Sequence, residues 1–262
     1  MSTLVLEEQR GVLTVTLSRP EARNAMTLAM VRELRDVFRQ AEARQELRVL
    51  VLRGEGGNFC AGADLKDLLQ ARSQPAGEGD PVADTNAAFG ELCAAFAELS
   101  LPTVCVLNGA VLGGGFGLAC ASDFALADES ASFGLPETSL GIAPAQIAPF
   151  LIERLGFAQA KRLALMGGKV SAKEALAIGL VHELHTDVEQ GLKSLLIRLL
   201  RCAPRATRVT KRLVLGARDA ALSEFIGHAA RQFSEQLSSE EGGEGIRAFV
   251  EKRAPAWQRS EA

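Results

Sequence analysis

Residues 103–128 read TVCVLNGAVLGGGFGLACASDFALAD, and the fold turns on how this stretch divides. An apolar, β-branched run over 103–107 stops at Asn108-Gly109. Gly113, Gly114 and Gly115 follow, then a compact apolar segment over 116–121, then Asp123 and a second apolar run over 124–127. The hydrophobic period passes from strand-like to helix-like across the glycines, which gives strand, tight turn, short buried helix, strand. Glycines there let a ligand touch the backbone closely. The first N–H groups of such a helix lack intrahelical partners and sit at the positive end of the helix dipole. A carbonyl oxygen gaining negative charge during a reaction would be stabilised there. No Gly-Lys-Ser/Thr follows, which argues against a phosphate cradle. On these residues alone a second reading stays open: the glycines only let helix pack closely on strand.

On the N-terminal side, 4–8 and 12–17 alternate around Gln9-Arg10-Gly11 and predict an antiparallel hairpin, ended by Arg19-Pro20. A helix follows over about 27–43, with Leu28, Val31, Leu34, Val37, Phe38 and Ala41 on one face. RVLVLR at 48–53 is a short buried strand. The loop GEGGNFCAG at 54–62 leads to a short helix beginning near Ala63-Asp64. QARSQPAGEGDPVAD at 70–84 is polar, rich in Gly and Pro, and reads as a mobile excursion before a helix over 85–99. Strand and helix alternate, which argues for a parallel sheet with right-handed crossovers. The loops at 54–62 and 108–115 then both leave C-terminal ends of parallel strands, the edge at which open α/β sheets bind ligands. The backbone near Ala61 and Gly114 is therefore expected to converge on one point.

On the C-terminal side, Ser132-Phe133 is a short strand, and Glu137 follows Pro136 on a turn among apolar neighbours. A carboxylate there tends to have a raised pKa and can shuttle a proton. The alternative is a first-turn helix glutamate that complements the dipole. GIAPAQIAPF at 141–150 is too apolar for a solvated loop and is expected to line a pocket. The remainder reads as helical, with short strands. Ser171 and Glu174 form a capping box, and helices are expected over 187–201, 203–215, 220–237 and 240–253. Lys211, Arg212, Lys252 and Arg253 read as solvated faces.

The 262 residues suit one α/β domain with a helical appendage, divided as a core over 1–200 and a helical region over 201–262. A net charge of −3 gives no case for nucleic acid. No apolar run approaches the roughly 20 residues of a membrane span. The N-terminus lacks a basic region followed by an apolar stretch, so the expectation is a cytoplasmic protein. Cys60, Cys93, Cys105, Cys120 and Cys202 have no paired spacing and read as buried free thiols rather than disulfide or metal ligands. His182, His185 and His228 read as structural. With no tyrosine in the chain, a tyrosine acid is excluded.

Taken together, SRPEARNAM at 18–26, FCAGADL at 59–65, NGAVLGGGFGLACASD at 108–123, FGLPE at 133–137 and AFVEKRAP at 248–255 resemble the crotonase family, the enoyl-CoA hydratases and isomerases. Five motifs in order cover nearly the whole chain. The resemblance implies an α/β, crotonase-like spiral of ββα units with a C-terminal helical trimerisation region, assembling as a homotrimer or dimer of trimers. It implies an acyl-CoA thioester substrate and no separate cofactor or metal, CoA being part of the substrate. It implies that the N–H groups of Ala61 and Gly114 form an oxyanion hole and that Glu137 is the catalytic carboxylate. Arg23, Ala25, Ala63, Asp64 and Leu65 would lie along the CoA, and Phe249 and Lys252 would reach the nucleotide of a neighbouring subunit.

Two departures refine the expectation. Ordinary hydratases carry a second glutamate where this chain has Gly117, and a GxGGTQRL-like stretch where it has GIAPAQIAPFL. The single glutamate and the APAQIAPF loop resemble the bacterial glutaconyl-CoA hydratases of branched substrates. The chain is thus expected to hydrate isohexenylglutaconyl-CoA, of acyclic terpene breakdown, or 3-methylglutaconyl-CoA, of leucine breakdown, with the lean to the former. Gly117 is expected to clear space for the branch at C3. The alternatives are a single-glutamate isomerase and a non-catalytic acyl-CoA-binding scaffold. The absence of G-x-S-x-G, with no histidine placed to serve it, argues against a serine hydrolase.

Overall fold

The apolar alternation of the N-terminus folds as expected. In the computed structural model, which describes residues 2–73 and 79–259, β1 (Leu4–Gln9) and β2 (Val12–Leu17) form an antiparallel hairpin with Leu4 opposite Leu17. A 3-10 turn at Pro20–Ala22 leads to α1 (Leu28–Ala43), capped by the Thr27 side chain, with Met30, Leu34 and Phe38 buried on one face. β3 (Val49–Gly54) is followed by α2 (Leu65–Ser73) and α3 (Pro81–Glu98). The central stretch divides as its period predicts: β4 (Thr103–Leu107), β5 (Ala110–Leu112), α4 (Gly114–Ala121) and β6 (Phe124–Asp128). Next come β7 (Ser132–Gly134), α5 (Ala148–Met166, interrupted at Gly156) and β8 (Lys169–Ser171). α6 (Ala172–Ala177) is capped by Ser171, and β9 (Glu183–His185) and α7 (Val188–Leu200) follow. The chain closes with α8 (Pro204–Gly216), α9 (Leu222–Leu237), α10 (Glu240–Val250) and α11 (Ala256–Arg259).

Two sheets result. The larger runs β1-β2-β3-β4-β6-β9 and is parallel from β2 onward; the smaller runs β5-β7-β8, with β5 and β7 parallel. One core lies between the large sheet and α1, α3 and α4, with Phe38 stacked on Phe96 (ring centroids 5.0 Å apart). A second lies on the sheet's other face under α7, where Val49, Val51, Val104 and Val106 meet Leu192 and Leu195. The strands β3 and β4 are therefore buried on both faces, which is why they read as continuous apolar runs. No helix of the described residues is long and apolar enough to cross a membrane.

Several expectations change. The polar excursion over 70–84 is shorter, because α2 continues to Ser73 and Asp80 opens α3 by accepting the N–H groups of Val82 and Ala83. Residues 74–78, inside that excursion, lie outside the described residues. Lys211 is no solvated residue: its Nζ lies 2.6 Å from Asp123 Oδ2 and its side chain is 9% exposed. Arg253 is engaged by both carboxylate oxygens of Glu244 (2.6 and 2.9 Å). Arg208 is buried in α8 and donates to Ser100 Oγ and the carbonyls of Arg44 and Leu47, which ties this helix to the core. Four cysteines are buried thiols, whereas Cys202 is exposed. His182 is structural: its Nδ1 accepts the Ala125 N–H, and Arg154 sits against its ring.

Candidate active site

The loop after β3 meets β5 through a parallel bridge between Cys60 and Val111. Cys60 N–H donates to Ala110 O, and Leu112 N–H donates to Cys60 O (both 2.9 Å). Asn58 fastens the same seam, its Oδ1 accepting Ala110 N–H at 3.0 Å. Carried forward from Cys60 and Val111, the parallel register sets Gly62 beside Gly113, from which the two chains run on into Ala63 and into Gly114 at the start of α4. The contact is close: a Cβ on Gly113 would lie 3.7 Å from Gly62 Cα.

This register corrects one expectation. Ala61 does not offer a free donor, because its N–H is spent on Arg23 O at 2.9 Å. The next peptides are also committed: Gly62 N–H faces Cys60 Sγ at 3.4 Å, and Asp64 N–H donates to Met26 O at 2.9 Å. Among the described residues the Ala63 N–H has no acceptor. Its direction is fixed, since the carbonyl of the same peptide, Gly62 O, accepts the Met26 N–H at 2.8 Å and a trans peptide points its two polar groups oppositely. Gly114 opens α4, so its N–H is one of the unpartnered donors of a helix start. The pair of free donors at the seam is Ala63 and Gly114.

Glu137 comes to the same place from β7. Leu112 pairs with Gly134, and Gly113 N–H donates to Gly134 O at 2.9 Å, so the turn after β7 lies against the glycine loop. Its carbonyl is held by the N–H groups of Leu140 and Ile142, and Thr138 Oγ1 anchors the turn to Ala164 O at 2.6 Å. The Oε1 atom lies 2.7 Å from where a Gly113 Cβ would stand. Oε2 is buried with no hydrogen-bond partner. Burial pushes the carboxyl above its ordinary 4.5, against a smaller pull from its own backbone N–H. Of the two readings open at Glu137, the dipole-complementing helix residue does not fit, for only a short 3-10 turn follows it.

The wall above α4 is apolar. Phe89 of α3 lies where a Cβ on Gly114 would meet its Cζ at 3.0 Å and a Cβ on Gly117 at 3.6 Å. Met26 Cε would meet the Gly114 Cβ at 2.7 Å. At Gly117 the expected open space is absent: the buried side chain of Ile147 occupies it, its Cγ2 closer to a built Cβ than real atoms approach. The loop at 141–150 thus contributes Ile147 and, beside it, Gln146, whereas Ile142 at its outer end is half exposed. Gly117→Glu is accordingly expected to cost about 1–3 kcal/mol of stability by overpacking. Ile147→Ala in the same chain should recover most of it in denaturant melts. A single variant as stable as wild type would contradict this packing.

The other expected residues divide. Asp64 lines the seam, but its Oδ2 is 3.0 Å from Arg19 and its Oδ1 accepts Lys66 N–H. Burial raises its pKa, and those bonds outweigh burial and hold it below the usual range. Ala25 O accepts from Arg19, and Arg23, left-handed with φ 50°, supplies the carbonyl that holds Ala61. Leu65 begins α2 with its side chain 59% exposed. Phe249, near the end of α10, and Lys252, just past it, are exposed, and α10 packs on α9. Met26 and Phe89 escaped the sequence reading, whereas Ile147 lies in the 141–150 loop expected to line a pocket. A hydrophobic residue in a helix or loop carries no signal beyond core, and only the fold shows what it faces.

The profile of the enoyl-CoA hydratase/isomerase family matches residues 7–260. The chain is similar to the solved structure of Pseudomonas aeruginosa AtuE, 49% identical with a TM-score of 0.95, covering 98% of this chain and 99% of that one. It is similar to 2,3-dehydroadipyl-CoA hydratase of Escherichia coli, 32% identical over 97% of this chain and 98% of the relative. It is similar to mevalonyl-coenzyme A hydratase sidH of Aspergillus fumigatus, 34% identical over 95% and 92%.

Proposed function

The chain belongs to the enoyl-CoA hydratase/isomerase family, and from that premise we propose that it adds water across the 2,3 double bond of a 3-branched enoyl-CoA thioester. The observation that carries the reading is the half-buried Glu137 carboxyl, its Oε2 buried without a hydrogen-bond partner, near two free backbone donors, those of Ala63 and Gly114. The thioester oxygen accepts from both donors. Glu137 takes a proton from water, the water oxygen bonds to C3, and the electron pair of the double bond moves onto the thioester as an enolate. The same carboxyl returns the proton to C2. One carboxylate on one face makes the addition syn. The two donors stabilise the enolate oxygen, each by about 2.7–4 kcal/mol.

The substrate reading is a glutaconyl-CoA with a branch at C3, isohexenylglutaconyl-CoA ahead of 3-methylglutaconyl-CoA. The single glutamate and the loop around Gln146 support it. So does the chemistry named for two relatives: a mevalonyl chain is branched at C3, and a dehydroadipyl chain ends in a carboxylate. Isomerisation is the second reading, favoured by the single carboxylate, which suffices to move a proton between C2 and C4. The homotrimer or dimer of trimers is proposed on Leu222, Ile226 and Phe233, large apolar side chains that α9 leaves exposed. A panel of branched and linear enoyl-CoA esters assayed by mass decides the reaction. Gain of one water on the branched esters supports hydration; unchanged mass with a moved double bond supports isomerisation; binding without either leaves only a scaffold.

A further inference from the structure

We propose that Asn86 and Gln146 form an amide clamp that recognises a carboxylate at the far end of the acyl chain. Gln146 Nε2 donates to Asn86 Oδ1 at 2.9 Å, joining the loop before α5 to the second turn of α3. That bond sets Asn86 Oδ1 against Gln146. Its oxygen is used, and its amide nitrogen is left with both N–H groups unpartnered among the described residues, in a part-buried position. Gln146 lies so close to α3 that a Cβ on Gly90 would collide with its Oε1 and stand 2.9 Å from its Cδ. Glycine at 90, mid-helix, is therefore what admits the glutamine.

Position points the clamp at the acyl chain. Phe89 faces both Gly114, one of the free donors, and Gly117, one helical turn further along α4. Ile147 closes the wall at Gly117, and its neighbour Gln146 reaches Asn86, one turn before Gly90 on α3. A chain leaving the thioester carbonyl meets apolar surface first and these amides last. Three residues of helix separate Asn86 from Phe89, about 4.5 Å along the axis. In a glutaconyl chain the distal carboxylate stands four bonds from the thioester carbon, about 5 Å when extended. Unpartnered part-buried donors beyond an apolar wall match an acceptor, and a charged acceptor best.

The inference rests on the hydratase reading, and the test separates the two. Wild type, Asn86→Asp and Gly90→Ala are assayed on 3-methylglutaconyl-CoA and on the same ester with an isopropyl group in place of the carboxylate. Asn86→Asp keeps the acceptor for Gln146 and replaces the donors with a repelling charge. Gly90→Ala displaces Gln146 while favouring helix by about 1 kcal/mol, so it does not act through unfolding. The expected result is a rise in KM of roughly ten- to a hundredfold on the carboxylate ester alone in Asn86→Asp, a smaller rise in Gly90→Ala, and near-wild-type kinetics of both on the isopropyl ester. Equal losses on both esters, or no loss, overturn the clamp. Wild type inactive on both esters overturns the hydratase reading instead.

Discussion

Glu137→Gln is expected to slow turnover by roughly a hundred- to ten-thousand-fold while leaving acyl-CoA binding nearly unchanged. The substitution keeps shape and removes the carboxylate beside Gly113, so it tests proton transfer apart from packing. Two pH effects accompany it. The rate requires the carboxylate form, and burial places its pKa above 4.5, so the acid limb of the wild-type profile should lie higher than for an exposed glutamate. Stability runs the other way. Between the unfolded pKa and the raised folded one, the folded state binds more protons, so wild type loses stability as pH rises through that window. The amide has no such loss. Glu137→Gln should therefore melt higher than wild type at neutral pH, and the difference should vanish at low pH. A variant that is inactive and also less stable at neutral pH would mean that Glu137 serves the fold.

Gly113→Ala is expected to cost at least about a hundredfold in kcat, because it displaces the Glu137 carboxylate and strains the backbone that leads into the Gly114 donor. Gly113 has φ 50° and ψ −115°, a conformation that L side chains rarely adopt, so the strain alone is about 1–3 kcal/mol. Its new Cβ would lie 2.7 Å from Glu137 Oε1 and 3.7 Å from Gly62 Cα. The methyl thus presses on the carboxylate, while it meets Gly62 Cα only in ordinary contact. Steady-state kinetics should show kcat falling more than KM rises, with the protein still folded by circular dichroism. Near-wild-type kcat would mean that Glu137 and the two donors do not act as one site.

Both predictions depend on contacts that the sequence could not display. The strand–glycine–helix unit was legible because its period changes within a few residues, and the alternation of elements gave the parallel sheet. Ser171 declared the start of α6 by its own capping chemistry. The choice of Ala61 as a donor failed for a specific reason. Local pattern brings two loops to one edge, but the identity of facing peptides is a matter of register, set here by the Cys60–Val111 bridge. A shift of two residues along the loop exchanges a spent N–H for a free one. Gly117 misled in the same way, since Ile147 comes from thirty positions later to fill its space. Lys211 followed a solvated pattern until the tertiary fold set Asp123 beside it.

The central claim is that one acyl oxygen is held by the peptides of Ala63 and Gly114. A crystal structure of Glu137→Gln with a bound 3-branched enoyl-CoA tests it most directly. The account predicts the thioester oxygen about 2.7–3.1 Å from both nitrogens, with the Ala61 N–H still on Arg23 O. A thioester oxygen bound to the Ala61 nitrogen, or lying away from the seam, would contradict it.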